Sequence, residues 1–248
     1  MGQPPRGTVL AWSAVVFVVA LVPRMCNYAG TFVQGDVVFG GVDAYYHMRR
    51  IELALSNHLL LPATDTYLNY PRETLVDWPP GFDTAMAAIC MVVQPVLPTS
   101  VSPGAVCAMV IPLLGALTCA LLVVVAARRV GLQAGVLGGL LLAGVACHVD
   151  YSTVGRVDHH VVEPLLLLAA MVSYGWARRL GGRLRHASLG LVLALLPAFW
   201  PGAIVFSVPV LLAFGVEHWR GARDPLAAWT FGAALLTSAL LSLSSPWG

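Results

Sequence analysis

Charge is scarce in this 248-residue sequence: only 10% of positions are Asp, Glu, Lys or Arg, and the formal net charge is +2. Such a weak balance excludes an electrostatic nucleic-acid binder. Lysine is missing altogether, so all 14 basic residues are arginine, which reads as base composition rather than function. Cysteine is sparse too. The five, Cys26, Cys90, Cys107, Cys119 and Cys147, form no CxxC pair, so neither a cysteine zinc site nor a disulfide framework is indicated. No small-residue cleavage site follows the first apolar run, which is therefore read as an uncleaved first span. No internal repeat is visible and the apolar runs are nearly charge-free, which counts against a secondary transporter.

What is abundant is apolar length. Hydrophobic residues make up 58% of the chain and mean hydropathy is +0.79. Most of the length is apolar runs of roughly 15 to 24 residues, the mark of an all-α, multi-span membrane protein. A long outer loop, about 26–103, follows the first span and holds seven of the twelve acidic residues. It contains Gly41-Val-Asp43-Ala-Tyr-Tyr-His47-Met-Arg-Arg50, then an expected amphipathic helix through about Leu60 with Ile51, Leu53, Leu55 and Leu59 among its apolar positions. Asp65-Thr-Tyr-Leu-Asn-Tyr-Pro71 and Asp77-Trp-Pro-Pro-Gly-Phe-Asp83 read as turns.

Phe82–Leu97 is apolar but interrupted by Asp83, Gln94 and Pro95, and arginine placement decides its role. If it does not span, the spans fall at about 8–25, 104–127, 132–149, 159–177, 187–199, 202–217 and 226–243. Nine of the fourteen arginines (6, 128, 129, 178, 179, 183, 185, 220 and 223) then lie in short inner loops, as the positive-inside rule requires. Ten of the twelve acids lie outside, leaving only Glu217 and Asp224 within. The pair 187–199 and 202–217 must form a hairpin, because arginines flank both ends; Phe199-Trp-Pro-Gly202 supplies its break.

The densest polar cluster lies in a loop at about 150–160. Ser152-Thr-Val-Gly-Arg156-Val-Asp158-His159-His160-Val-Val-Glu163 packs five ionisable residues into eight positions. Polar residues at a membrane boundary are usually functional. Asp158 and His160 can converge on one ion if the backbone is extended or turning, and an Asp–His set suits Mn²⁺, Mg²⁺ or Zn²⁺. Asp43, Asp158, His159, His160, Trp78 and Trp200 then share the outer boundary. This describes a divalent site beside lipid, suited to a phosphate headgroup on a lipid tail. Hard oxygens favour Mg²⁺ or Mn²⁺, and the imidazole tilts the choice to Mn²⁺. Arg156 could pair with Asp158 or reach a phosphate. Trp200 reads equally as a cavity residue or an interfacial-belt residue, and Glu163 as a carboxylate at a helix N-terminus.

Together, Gly41-Val-Asp43-Ala-Tyr-Tyr-His-Met-Arg, Asp77-Trp-Pro-Pro-Gly-Phe-Asp and Asp158-His-His-Val-Val-Glu resemble the catalytic subunit of oligosaccharyltransferase, especially its archaeal form. That family comprises C-type glycosyltransferases with a long first outer loop and an outward-facing site. It moves a glycan from a polyprenyl phosphate or pyrophosphate carrier to the Asn amide of Asn-x-Ser/Thr. The resemblance implies Asp43, Asp158 and His160 as ligands of Mn or Mg, with Asp43 also touching the acceptor amide. It implies His159, Trp200 and Arg156 at the lipid phosphate. Gly41 stands where relatives can carry an additional acid.

The resemblance covers essentially the whole chain and about the first half of the family's length, so 1–248 is expected to be one transmembrane domain without the soluble C-terminal domain and its Trp-Trp-Asp-Tyr-Gly motif. Transfer is then expected to need a C-terminal half or a second polypeptide. The partners implied are a polyprenyl-linked glycan donor, a polypeptide acceptor and the membrane, with no nucleic acid. Two alternatives remain open: another C-type transferase with a lipid or polysaccharide acceptor, and a non-enzymatic transporter or scaffold.

Overall fold

Helix dominates the computed structural model, which describes residues 3–221 and 226–244. The first membrane-length helix is α1, Arg6–Arg24. After it come the short α2, Tyr28–Thr31, and a hairpin of β1, Phe32–Val33, with β2, Asp36–Val37. Next is α3, Val42–Ser56. A second hairpin pairs β3, Thr64–Asp65, with β4, Thr74–Leu75, and leads to α4, Gly81–Val93. The remaining helices are α5, Pro103–Arg129; α6, Leu132–Gly144; α7, Ala146–Asp150; α8, Glu163–Leu180; α9, Arg183–Phe199; α10, Ser207–Trp219; and α11, Ala227–Ser244.

Among the described residues, three helices are long and apolar enough to cross a membrane: Arg6–Arg24, Pro103–Arg129 and His159–Leu180. Shorter apolar helices occupy Gly81–Val96, Leu132–Gly144 and Pro201–Glu217. The 13 residues of α4 rise about 20 Å, short of a ~30 Å hydrocarbon core. The α5 boundaries follow from local chemistry. Ser102 caps its start by accepting the Ala105 N–H at 3.2 Å, Pro103 sits in its first turn, and Arg128 and Arg129 lie against the negative end of the dipole.

Two expected elements have other bounds. The helix expected after Arg50 begins already at Val42 and stops at Ser56 rather than near Leu60, because His58 and Leu59 turn left-handed, with φ 51° and 68°. The Leu59 N–H then closes onto the Ala54 carbonyl at 2.7 Å. The run 132–149 is not one helix: α6 ends at Gly144, Val145 is extended, and α7 begins after it. The hairpin breaks as expected, with α9 ending at Phe199 and a 3-10 turn over Pro201–Phe206. Arg223 and Asp224 lie outside the described residues.

The chain divides into two compact units, Met1–Leu59 with Ala85–Leu165, and Leu60–Thr84 with Leu166–Gly248. In the first, Val16, Ala20, Ala116, Cys119, Val123 and Ala143 form a core between α1, α5 and α6. Small residues let these backbones approach; a Cβ on Gly135 would stand 2.8 Å from the Val123 carbonyl. In the second, Leu189, Leu193, Leu196, Val210 and Phe214 lie at the centre, and Arg178 on α8 pairs with Glu217 on α10 at 2.6 Å.

Packing is tight between α9 and α11, where a Cβ on Gly190 would meet the Thr230 carbonyl oxygen at 2.1 Å. Gly190→Ala should therefore lower stability by about 1–3 kcal/mol through overpacking. Gly232→Ala, at a position with nothing within 4 Å, should leave it near wild type. Thermal unfolding in detergent compares the two, and equal melting temperatures would contradict the tight α9–α11 contact.

Candidate active site

The loop bearing the second motif is fastened to its own unit before it reaches Asp158. Arg24, at the end of α1, is fully buried (0% exposed). Its Nε donates to Ser152 Oγ at 2.8 Å, and Nη1 donates to the Ala20 carbonyl at 2.6 Å and the Ala143 carbonyl at 3.4 Å. The Arg24 carbonyl accepts the Val154 N–H at 2.9 Å, and Thr31 Oγ1 donates to the Val154 carbonyl at 3.1 Å. Gly155 takes φ +82°, and a Cβ there would sit 2.7 Å from Thr31 Cγ2, so glycine is required. Its carbonyl accepts the Gly40 N–H at 3.0 Å. That bond joins the first motif to the second.

Asp158 is extended (φ −147°, ψ 145°) and caps a 3-10 turn over His159–Val161, accepting the His160 N–H at 3.2 Å. Its Oδ1 lies 3.1 Å from His159 Nδ1. His47, on the buried face of α3 with Ala44, Met48, Ile51 and Ala54, brings Nε2 to 3.2 Å from His159 Nδ1 and 3.9 Å from Asp158 Oδ1. A second group adjoins it: His160 Nδ1 hydrogen-bonds the Glu163 carboxylate, and His159 Nε2 lies 3.9 Å from Glu163 Oε1. Burial pushes the Asp158 carboxyl up, but the His159 hydrogen bond, the charges of His160 and His159 and the His160 amide hold it down at about 2. The stability this contributes is fully present above the ordinary 3.8 and is lost as pH falls through about 2.

Asp158, His159 and His160 thus stand together. Asp43 is exposed in the first turn of α3, one turn before His47, and belongs to neither group. Arg156 pairs with Asp150 at 3.5 Å and lies over the Tyr151 ring at 4.7 Å, rather than meeting Asp158. Trp200 belongs to the other unit, where its ring covers Gly202 and packs near Phe206 with centroids 6.1 Å apart. His47 and Glu163 were not singled out as ligands by sequence reasoning. The signal for His47 was its i+4 spacing from Asp43, which puts both on one helix side; for Glu163 it was the i+3 spacing from His160.

Imidazoles and carboxylates whose ligand atoms lie within 4.8 Å of one another, in the groups His47–Asp158–His159 and His159–His160–Glu163, fit a divalent cation. The Glu163–His160 contact is the carboxylate–histidine pairing that fixes a ligating imidazole's tautomer and leaves its other nitrogen for the ion.

A family model described as oligosaccharyl transferase STT3, N-terminal, matches residues 9–218. The dolichyl-phosphooligosaccharide-protein glycotransferase 2 of Archaeoglobus fulgidus is 27% identical over 195 residues, covering 78% of this chain and 31% of that protein. The crystal structure of the A. fulgidus oligosaccharyltransferase complexed with Zn and sulfate aligns with TM-score 0.76 at 19% identity, over 95% of this chain and 32% of that one. The archaeal oligosaccharyltransferase AglB of the same organism, in complex with an inhibitory peptide and a dolichol-phosphate, aligns with TM-score 0.72 at 19% identity, over 95% and 29%. The chain therefore spans under a third of each relative's length, less than the half expected from its motifs.

Glu163 offers a direct test of the His160 pairing. Glu163→Gln should weaken divalent-ion binding about tenfold or more with helix content unchanged, as read by Mn²⁺ paramagnetic resonance and circular dichroism. Unchanged affinity would leave Glu163 with no role beyond the start of α8.

Proposed function

Because the chain belongs to the oligosaccharyl transferase STT3 N-terminal family, we propose that it forms the donor side of a glycosyl transfer from a polyprenyl phosphate or pyrophosphate carrier to the Asn amide of Asn-x-Ser/Thr. The observation that carries this reading is the Gly40–Gly155 bond, with which α3 of the first motif and the Asp158 turn of the second enter one acid–imidazole cluster. The relatives' complexes with Zn and sulfate, and with dolichol-phosphate and a peptide, support a cation and a phosphate at such a site.

In this reading Asp43, Asp158 and His160 hold Mn²⁺ or Mg²⁺, with Asp43 drawn in from the first turn of α3. The ion, when bound, neutralises phosphate oxygens and stabilises the leaving phosphate. His159 donates to that phosphate, and Arg156 lies on the same loop. Asp43 also accepts a hydrogen bond from the acceptor amide, orienting its nitrogen. The amide nitrogen then bonds to the anomeric carbon, the carbon–oxygen bond to the carrier breaks with its electron pair on the phosphate, and the N–H proton passes to water. The chain crosses the membrane seven times with this site on the outer face.

Two measurements test this. Donor binding by the 248-residue chain in detergent should depend on Mn²⁺ or Mg²⁺ and be lost in Asp158→Ala; binding that survives both chelation and the substitution would remove the donor role. For topology, the exposed Cys26 and Cys147 are first replaced by serine. Cysteines placed at 66 and 153 should then label with an impermeant reagent from outside, and one at 182 should not. Labelling of 66 and 153 from opposite sides would overturn the shared face.

A further inference from the structure

We propose that Cys90 and Cys107 form an intramolecular disulfide that staples α4 to the start of α5, using none of the residues of the acid–imidazole cluster. Both are free thiols with 0% exposure, and their sulfurs lie 3.5 Å apart. A disulfide brings its sulfurs to about 2.05 Å, and roughly 25° of rotation about each Cα–Cβ bond closes the difference. Spacing does not announce the pair, since the two stand 17 positions apart. The turn between the helices creates it. A 3-10 turn at Gln94–Val96 follows α4, Gln94 Nε2 donates to the Val101 carbonyl at 3.5 Å, and Ser102 caps α5. Those bonds fold the chain back so that Cys90 meets the second turn of α5. Cys119 does not compete: it lies twelve residues further along α5, about 18 Å at ~1.5 Å per residue, and faces Arg24 Nη2 at 3.9 Å.

The chemistry is thiol–disulfide exchange with an external disulfide as oxidant. The hydrogen bond from Cys107 holds the Cys90 thiol below its ordinary value, against the opposing effect of burial, which makes Cys90 the attacking sulfur. Its thiolate attacks one sulfur of the oxidant, expels the other as a thiolate and forms a mixed disulfide. Cys107 then gives up its proton to water and attacks the Cys90 sulfur, expelling the second thiolate. Two S–H bonds are replaced by one S–S bond, and two electrons and two protons pass to the oxidant, which leaves as two thiols. Because the packed chain buries both sulfurs, exchange takes place while α4 docks, and burial then shields the bond from reductants. Disulfides persist on the oxidising side of a membrane, so for its compartment the inference rests on the outer placement proposed above.

The bond supports the site through α5. Ala108, next to Cys107, accepts the Gly155 N–H at 3.3 Å. A Cβ on Gly104 would meet Phe39 Cζ at 3.1 Å, so the first turns of α5 press against the segments leading into both motifs. The disulfide makes α4 a covalent part of that support.

The test maps thiols in membranes and in the purified 248-residue chain, both prepared without reductant and with Cys26 and Cys147 replaced by serine. Unpaired thiols are blocked with N-ethylmaleimide in sodium dodecyl sulfate, and the unreduced peptides are identified by mass spectrometry. A linked Cys90–Cys107 peptide with Cys119 alkylated is expected. The linked chain should melt about 5 °C or more above the reduced one, since the bond restricts the unfolded chain; an equal melting temperature would overturn the staple. Glutathione disulfide, added to the reduced chain in mild denaturant, should restore the link, and Cys107→Ser should instead retain one glutathione on Cys90. Alkylation of both Cys90 and Cys107 in every sample, the glutathione-treated one included, would overturn the proposal. A link formed by glutathione disulfide but missing from membranes would support the pair and count only against the outer placement.

Discussion

A fully buried guanidinium without a carboxylate is the constraint on which the rest of the first unit depends. Among the described residues no acid pairs with Arg24. A charge in a low-dielectric interior must be met by fixed dipoles or it is costly. Its dipoles are the Ala20 and Ala143 carbonyls and the Ser152 hydroxyl. The Ala143 carbonyl lies at the end of α6, beside the break at Val145, where helix carbonyls lose their intrahelical partners. Gly115 completes the pocket by having no Cβ, since one there would stand 2.4 Å from Ser152 Cβ and 2.7 Å from Arg24 Nε.

From Ser152 the constraint passes along the chain. Val154 and Gly155 are held on both sides, by Arg24 and Thr31 and by Ala108 and Gly40. Asp158 therefore emerges from a segment with little freedom, facing a helix whose start is tied to the same segment. Ligand groups held by such supports need little reorganisation when an ion or phosphate arrives. The capping role of Asp158 adds to this, because one carboxylate oxygen orders the turn that carries both histidines.

Part of this was legible in the residues. The Asp158–His160 segment declared itself by its charge density, and the Pro-Gly break at 199–202 by turn chemistry. Of the apolar positions read for the helix after Arg50, Ile51 is buried, while Leu53, Leu55 and Leu59 are only half-buried. The helix's end at Ser56 was not legible, because two left-handed residues, His58 and Leu59, override a pattern that continues through them. Nor was the break at Val145, which a uniformly apolar run cannot signal. For Arg156 the residues offered Asp158 or a phosphate as partner; only the loop conformation turns it to Asp150 and Tyr151.

By itself, the sequence determined the helical, apolar class of the chain, the motifs that carry its family likeness, and the residue types available for a cation and a phosphate. These follow from composition and short-range order, which survive without coordinates. Tertiary structure alone decided which of those residues meet. His47 and His159 are 112 positions apart, and they touch because a buried arginine, a left-handed glycine and a capped turn fold the second motif back onto α3. Asp43, four residues from His47 and on the same helix, stays exposed although its neighbour Ala44 is buried. Sequence proximity places residues on an element; the packing of that element chooses which of them form the site.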